Sequence, residues 1–269
     1  MEILRAIVLG FLQGVTEFVP VSSSGHLVLV PWLLGWAAPG LLFDTAVHWG
    51  TLVAVVAYFW RDLCQMIGAW VRGLVHWDWS DPMARVAWLL LLGTLPAALI
   101  GYLLEGFFES LFGEPVWVSA FLLVTALLLV VSERLSSKAR LLGEMRRSDA
   151  LLIGLGQAVA IAPGISRSGA TLAVGLLRGL DRTDAARFSF LLSIPVILGA
   201  GLLQLVQAVA ETSAGEGWAV LVVGFLAAAG SGYLSIRFLL RYLQRGRLYI
   251  FALYCAWVGI SCLVVSFLR

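Results

Sequence analysis

The sequence predicts an all-α polytopic membrane protein: six transmembrane helices plus two re-entrant helix–loop–helix hairpins, arranged as an inverted-topology repeat. Composition, the length of the apolar runs and the placement of the basic residues predict it. Of 269 residues, 61% are hydrophobic and 13% charged, and the mean hydropathy is +0.95. A soluble domain is nearer half apolar and about a quarter charged. Apolar surface in such excess needs lipid as its solvent, which excludes a cytosolic enzyme, a disordered chain and a nucleic-acid binder. The net charge of +2 carries no message about an acidic partner. Cys64, Cys255 and Cys262 form neither a metal-ligand spacing nor a disulfide framework, and packing accounts for the last two. The N-terminus shows no small-residue cleavage pattern of a secretory signal.

Runs 44–60, 85–105, 115–133, 185–208, 218–240 and 249–268 are apolar and close to the length a bilayer crossing requires. Segments 2–33 and 149–178 are also apolar but broken, the first by Pro20 and Ser22-Ser23-Ser24-Gly25, the second by Pro163-Gly164 and Ser166-Arg167-Ser168-Gly169. Irregular backbone at membrane depth persists only where protein or a wet cavity surrounds it. Each broken segment therefore reads as a hairpin that enters and leaves on one face.

Charge supports that reading. With both hairpins re-entrant, one side receives the N-terminus, 34–43, 106–114, 209–217 and the C-terminus, and the other 61–84, 134–148, 179–184 and 241–248. Of 18 basic residues, only Arg5, Arg167 and Arg269 then fall outside the second side and its flanks. The first side carries Glu105, Glu109, Glu114, Glu211 and Glu216. The positive-inside rule places both termini outside the cytoplasm. Counting either hairpin as a span scrambles this asymmetry.

A slide of 144 residues aligns the hairpins: Gly10 meets Gly154, Gln13 meets Gln157, Ser22 meets Ser166, Ser24 meets Ser168 and Gly25 meets Gly169. Three spans follow each hairpin, and an odd number of spans inverts the second unit. The single membrane domain, 1–269, thus divides into repeats 1–133 and 149–269. Such repeats place their site near the midplane, where the breaks meet.

Gln13 and Glu17, at i and i+4, share one helix face, and a carboxylate at membrane depth usually marks function. Pro20 stops the first half-helix, and Ser23 or Ser24 can cap the next. Its N–H groups then point into the break and favour an anion such as phosphate. His26, in the first turn, can be a general acid, a base or a nucleophile. In the second break Ser166 or Ser168 can cap, and Arg167 adds a planar fork suited to phosphate oxygens, its partner being Glu17 or a bound anion. Thr171 falls one turn further on. Asp44 and His48, again i and i+4, can line an outer vestibule, although a plain N-terminal role for Asp44 explains that spacing too. Ser189, Ser193, Ser231 and Ser235 suit close helix packing.

Two helix N-termini, an arginine, hydroxyls, a carboxylate and an imidazole converging within the membrane suit a lipid-linked phosphate, whose tail stays in hydrocarbon. Arg167 and the backbone N–H groups would stabilise the transition state. Mg2+ or Ca2+ bridging a diphosphate is the expected cofactor, with Glu17 as its ligand. The nucleophile is His26, a serine or water.

The segments Gln13-Gly-Val-Thr-Glu17-Phe-Val-Pro-Val-Ser-Ser-Ser-Gly-His26 and Pro163-Gly-Ile-Ser-Arg-Ser-Gly-Ala-Thr171 resemble the two signature motifs of bacterial undecaprenyl-diphosphatases, the BacA type linked to bacitracin resistance. The likeness extends through Phe43-Asp44 to Gly50-Thr51 and through Phe188 to Pro195. It implies hydrolysis of undecaprenyl diphosphate to the monophosphate in the bacterial cytoplasmic membrane, recycling the carrier for cell-wall synthesis. The catalytic positions fall on Glu17, Ser23, His26, Ser166 and Arg167, and the substrate-binding positions on Gln13, Ser22, Ser24, Gly164, Ser168 and Thr171. With Gln at 13, Glu17 is the sole carboxylate of its motif, which argues against a two-carboxylate metal clamp. Type 2 phosphatidic-acid phosphatases share Ser-Gly-His and Ser-Arg elements, but Ser168 to Leu177 lacks the histidine and aspartate that follow there. The expected partners are a polyprenyl diphosphate and the bilayer, with no nucleic acid; a homodimer is left open. One rival is a transporter or flippase of the carrier lipid, which needs Arg167 and the helix ends but not His26 with Glu17. Another is a dimerising structural protein, in which the small residues serve only packing.

Overall fold

The computed structural model describes residues 2–76, 80–210 and 217–269. Glu211 and Glu216, expected on an acidic loop, lie outside them. The described residues form twelve α-helices: α1 (Ile3–Phe18), α2 (Ser23–Leu34), α3 (Leu41–Tyr58), α4 (Trp60–His76), α5 (Pro82–Leu103), α6 (Glu105–Phe112), α7 (Pro115–Leu135), α8 (Arg147–Val159), α9 (Arg167–Leu177), α10 (Arg182–Ala210), α11 (Trp218–Leu243) and α12 (Tyr249–Leu268). Six of them, α3, α5, α7, α10, α11 and α12, are long and apolar enough to cross a membrane, and they coincide with the six expected runs. The protein is a multi-pass membrane protein. Its many exposed leucines, valines and tryptophans, such as Leu99, Leu203, Leu226 and Trp257, are the surface that lipid covers.

Two helices lie where loops were expected, α4 over much of 61–84 and α6 over much of 106–114, each starting one residue earlier. The reason is visible in α4. Met66, Ala69 and Gly73 are buried on one face, which packs against α5, and Trp70 meets Trp88 edge-on at 5.7 Å. Trp60, Ile67, Val71, Leu74 and Val75 form a second, exposed apolar stripe. Charged residues between the two faces dilute hydropathy below that of a span, while the helical period persists.

Matched positions in the two halves do matched work. α1 packs on α11 and α8 on α5. A Cβ at Gly10 would stand 2.4 Å from the Gly224 carbonyl oxygen, and one at Gly154 2.3 Å from that of Gly93. Both glycines therefore let backbone touch backbone, as close membrane helix pairs require. Phe18 and Phe190 meet edge-to-face at 5.3 Å in the core beneath the breaks. Cys255 and Cys262 are buried packing residues. Ser193, Ser231 and Ser235 donate to carbonyls three or four residues back on their own helices, in keeping with a packing role.

Two buried carboxylates fasten the segment between α7 and α8. Glu133 accepts from Arg182, from Lys138 Nζ at 3.0 Å and from the Leu248 N–H at 3.3 Å. Asp149 accepts from Arg140 at 2.8 Å, Arg178 at 2.7 Å and the Arg146 N–H at 2.8 Å. Each buried charge is thus paired and hydrogen-bonded, the condition for tolerating it.

Candidate active site

Both breaks close in the same way. The Ser22 hydroxyl accepts from the Gly25 N–H at 3.2 Å and starts α2; the Ser166 hydroxyl accepts from the Gly169 N–H at 3.0 Å and starts α9. The cap of α2 is therefore Ser22, not Ser23 or Ser24, and this leaves the Ser23 hydroxyl for other work. The cap of α9 is Ser166, not Ser168. In each break the capping hydroxyl also meets the serine two residues on, Ser24 at 3.4 Å and Ser168 at 3.2 Å. The breaks face one another: a Cβ on Gly25 would lie 3.3 Å from Gly164 Cα, and one on Gly169 3.5 Å from Pro20 Cβ. Ser168 also donates to the Val19 carbonyl at 3.4 Å.

The backbones differ. Ser166 is extended at φ −68°, ψ 120°, whereas Ser22 holds φ 72°, ψ 99°. That conformation costs a non-glycine residue about 1–3 kcal/mol and persists only where its surroundings impose it. Gly164 turns the second break instead, at φ +100°, with the Val118 carbonyl oxygen 2.3 Å from where a Cβ would be.

Glu17 is the centre of the site. Oε1 accepts from Arg167 Nη2 at 2.9 Å. Oε2 accepts from the Ser23 hydroxyl at 2.7 Å and from Gln13 Nε2 at 2.9 Å. His48 Nε2 stands 4.0 Å from Oε2. The carboxylate thus joins α1, α2, α3 and α9, and it supplies the countercharge that Arg167 needs in this apolar setting. Arg167 Nη1 donates to the Ser189 carbonyl at 3.2 Å, so Ser189, expected only in packing, also aims the guanidinium.

Glu17, Ser22, Ser23, Ser24, His48 and Arg167 line one end of a cavity of about 680 Å³, within the usual size of a ligand pocket. Much of the remaining wall is apolar, with Leu27, Val28 and Trp32 of α2, Ile161 and Ile165 beside the second break, and Ile197 of α10, while Asp44 and Gln204 add polar groups. Such a space accepts an anionic head at one end and hydrocarbon along the rest.

The remaining expected residues stand behind this wall. Gln13 is fully buried and orients Glu17 from the rear. Thr171 bonds the Ser189 hydroxyl at 2.6 Å and the Arg167 carbonyl at 2.8 Å. Ser166 and Gly164 are tied through Thr125, whose hydroxyl accepts from the Ser166 N–H at 2.9 Å and donates to the Gly164 carbonyl at 3.0 Å. His26 is 3% exposed and does not line the cavity. His48 does. Its Nδ1 donates to the Asp44 carbonyl at 2.8 Å, with the Asp44 carboxylate 3.5 Å away. The i, i+4 spacing was the only sequence signal for that pair. Nothing local in the sequence marks Thr125, or Tyr254, whose hydroxyl lies 2.8 Å from His26 Nε2, as a site residue.

Among the described residues no group of three His, Cys, Asp or Glu side chains could hold a metal ion, and both Glu17 oxygens already accept hydrogen bonds. This donor set does not build a resident metal centre. It fits a cation that arrives on phosphate oxygens and takes Glu17 as its one carboxylate.

The sequence profile described as "Bacitracin resistance protein BacA" matches residues 6–261. The chain belongs to the BacA family. Among its relatives, the undecaprenyl-diphosphatase of Rubrobacter xylanophilus is 51% identical over 258 residues, covering 94% of each chain. That of Thermomicrobium roseum is 45% identical over 278 residues, and that of Desulforudis audaxviator 43% identical over 269, each covering 100% of both chains. The two breaks, 20–26 and 163–171, lie inside the BacA match.

Proposed function

We propose that this chain hydrolyses undecaprenyl diphosphate to undecaprenyl phosphate and inorganic phosphate, recycling the carrier for peptidoglycan synthesis and conferring bacitracin resistance. One observation carries the proposal. Ser23 and Arg167 meet on opposite oxygens of a single carboxylate, at the polar end of an apolar-walled cavity. The BacA family membership and the relatives' shared name agree with it.

The diphosphate enters head first. Arg167 shifts from Glu17 to the phosphate oxygens, joined by N–H groups in the first turns of α2 and α9. The Ser23 oxygen attacks the terminal phosphorus while Glu17 Oε2, already accepting its proton, takes that proton. The Oγ–P bond forms, the bond from phosphorus to the bridging oxygen breaks, and undecaprenyl phosphate leaves with the proton. Water then adds to the phosphoserine. The P–Oγ bond breaks, one water proton returns through Glu17 to Ser23, and inorganic phosphate departs. A divalent cation held by Glu17 and the substrate would neutralise charge on the phosphate oxygens.

The same reading places the chain in the bacterial cytoplasmic membrane with both termini outside the cytoplasm and two inverted repeats. The basic-residue asymmetry supports the orientation. The matched caps, Ser22 and Ser166, and the matched glycines, Gly10 and Gly154, support the repeat. The test is phosphate release from undecaprenyl diphosphate by the purified protein in detergent. Release that Glu17→Ala abolishes in a folded variant is expected. A carrier that only moved the lipid would release none.

A further inference from the structure

We infer that His26 serves this reaction as a positioning residue: a clamp, set by Tyr254 of α12, that holds the strained Ser22 turn and so aims Ser23 at Glu17. The inference rests on the phosphatase reading for its purpose, but its geometry stands apart from it. Both ring nitrogens of His26 are committed. Nδ1 lies 2.7 Å from the Ser22 carbonyl oxygen, which only accepts, so Nδ1 carries the proton. Nε2 lies 2.8 Å from the Tyr254 hydroxyl, which donates to the neutral ring. The two rings are nearly parallel, 7° apart at 5.6 Å. The imidazole is buried and turned away from the cavity, so neither nitrogen faces a bound phosphate.

The clamp grips where the backbone needs holding. Among the described residues only Ser22 and Lys138 are non-glycine residues at positive φ. The Ser22 carbonyl receives both the imidazole Nδ1–H and the His26 backbone N–H, the latter at 3.2 Å. Fixing that peptide fixes the direction in which the next residue leaves, and the next residue is Ser23, whose hydroxyl sits 2.7 Å from Glu17. The second break is the internal control. There Ser166 is unstrained, Arg167 follows in place of a serine, and Ala170 occupies the place of His26. The clamp and the strain occur together, only at the break that presents a nucleophile.

Three substitutions at His26 separate positioning from ring chemistry. The amide nitrogen of asparagine takes the place of Nδ1 and can still donate to Ser22; that of glutamine takes the place of Nε2 and cannot. His26→Asn is expected to keep kcat within about tenfold of wild type, and His26→Gln and His26→Ala to fall by about 100-fold or more, with KM little changed. Tyr254→Phe keeps the stacked ring, loses only the hydroxyl, and is expected to lower kcat by about threefold to tenfold. Hydrogen–deuterium exchange across residues 20–27 reads the clamp without turnover. Exchange should quicken in His26→Ala and His26→Gln and stay near wild type in His26→Asn. His26→Asn as inactive as His26→Ala, with unchanged exchange in both, would overturn the inference, as would all three variants within twofold of wild type. A wild type that releases no phosphate sinks the phosphatase reading instead, and the exchange pattern still decides the clamp.

Discussion

Replacing Arg167 by lysine keeps the charge and removes the fork. In the resting protein the fork spans two acceptors, Glu17 Oε1 at 2.9 Å and the Ser189 carbonyl at 3.2 Å. A single ammonium on a shorter reach cannot hold both in that geometry. The lost hydrogen bond involves a charged group and is worth about 1.5–3 kcal/mol. If it is lost in the transition state, kcat/KM falls by about 10- to 100-fold, since each 1.4 kcal/mol is about one decade. Arg167→Ala does more: Glu17, 6% exposed, keeps its charge without its arginine partner, a change that typically costs about 3–5 kcal/mol. The expected order of phosphate release from a lipid diphosphate in micelles is wild type, then lysine, then alanine near background, with the alanine variant alone losing a large part of its melting temperature. A lysine variant within threefold of wild type, or equal to alanine, would refute the reasoning, because the planar fork would then contribute nothing that a point charge does not.

Ser22 and Ser23, adjacent in sequence, should separate cleanly: Ser23→Ala loses phosphate release, while Ser22→Ala loses a helix cap, about 1 kcal/mol of stability, and keeps measurable turnover. Chelation by EDTA should stop turnover and added Mg2+ restore it without moving the melting temperature, because no resident metal centre is built among the described residues. Gly10→Ala and Gly154→Ala should destabilise to similar degrees in a thermal melt, by about 1–3 kcal/mol, since each Cβ meets a carbonyl oxygen at 2.4 and 2.3 Å. Burial pushes the Asp149 carboxyl up, but Arg140, the Arg146 N–H and Arg178 outweigh it and hold the group below its usual range. A depressed folded-state value stabilises above the unfolded value of about 3.9 and is lost as pH falls through the folded one. Melting temperature should therefore drop on acidification below about pH 4, and Asp149→Asn should flatten that drop while lowering stability at neutral pH.

The spans were legible because hydrocarbon thickness imposes length and apolarity together, and α12 was read to the residue, 249–268. The breaks were legible for the opposite reason: Pro20 follows the end of one half-helix and the serine run caps and opens the next. The amphipathic α4 was not, since its apolar residues divide between α5 and the exposed stripe. At the site, sequence distance decided. Glu17 with Gln13 and Ser23 is a local pattern, and Arg167 announced itself as a charge with no neighbour to pair it. Which way His26 turned could not be read, because the answer lies 228 residues away on Tyr254.

The two breaks share a capping pattern but not their side chains, and in the proposed reaction that difference gives one site. At the place of Glu17 the second half carries Ile161, and at the place of Ser23 it carries Arg167. Ile161 lines the same cavity as Glu17, so the second break contributes hydrocarbon wall where the first contributes a carboxylate. A carboxylate in both would set two like charges near one anion; an arginine in both would leave no group to take the nucleophile's proton. In the proposed reaction each break would supply the half that the other lacks, nucleophile and base from the first, charge for the phosphate from the second. The Glu17–Arg167 ion pair, at 2.9 Å, joins the two breaks, and in the proposed reaction a phosphate would separate it.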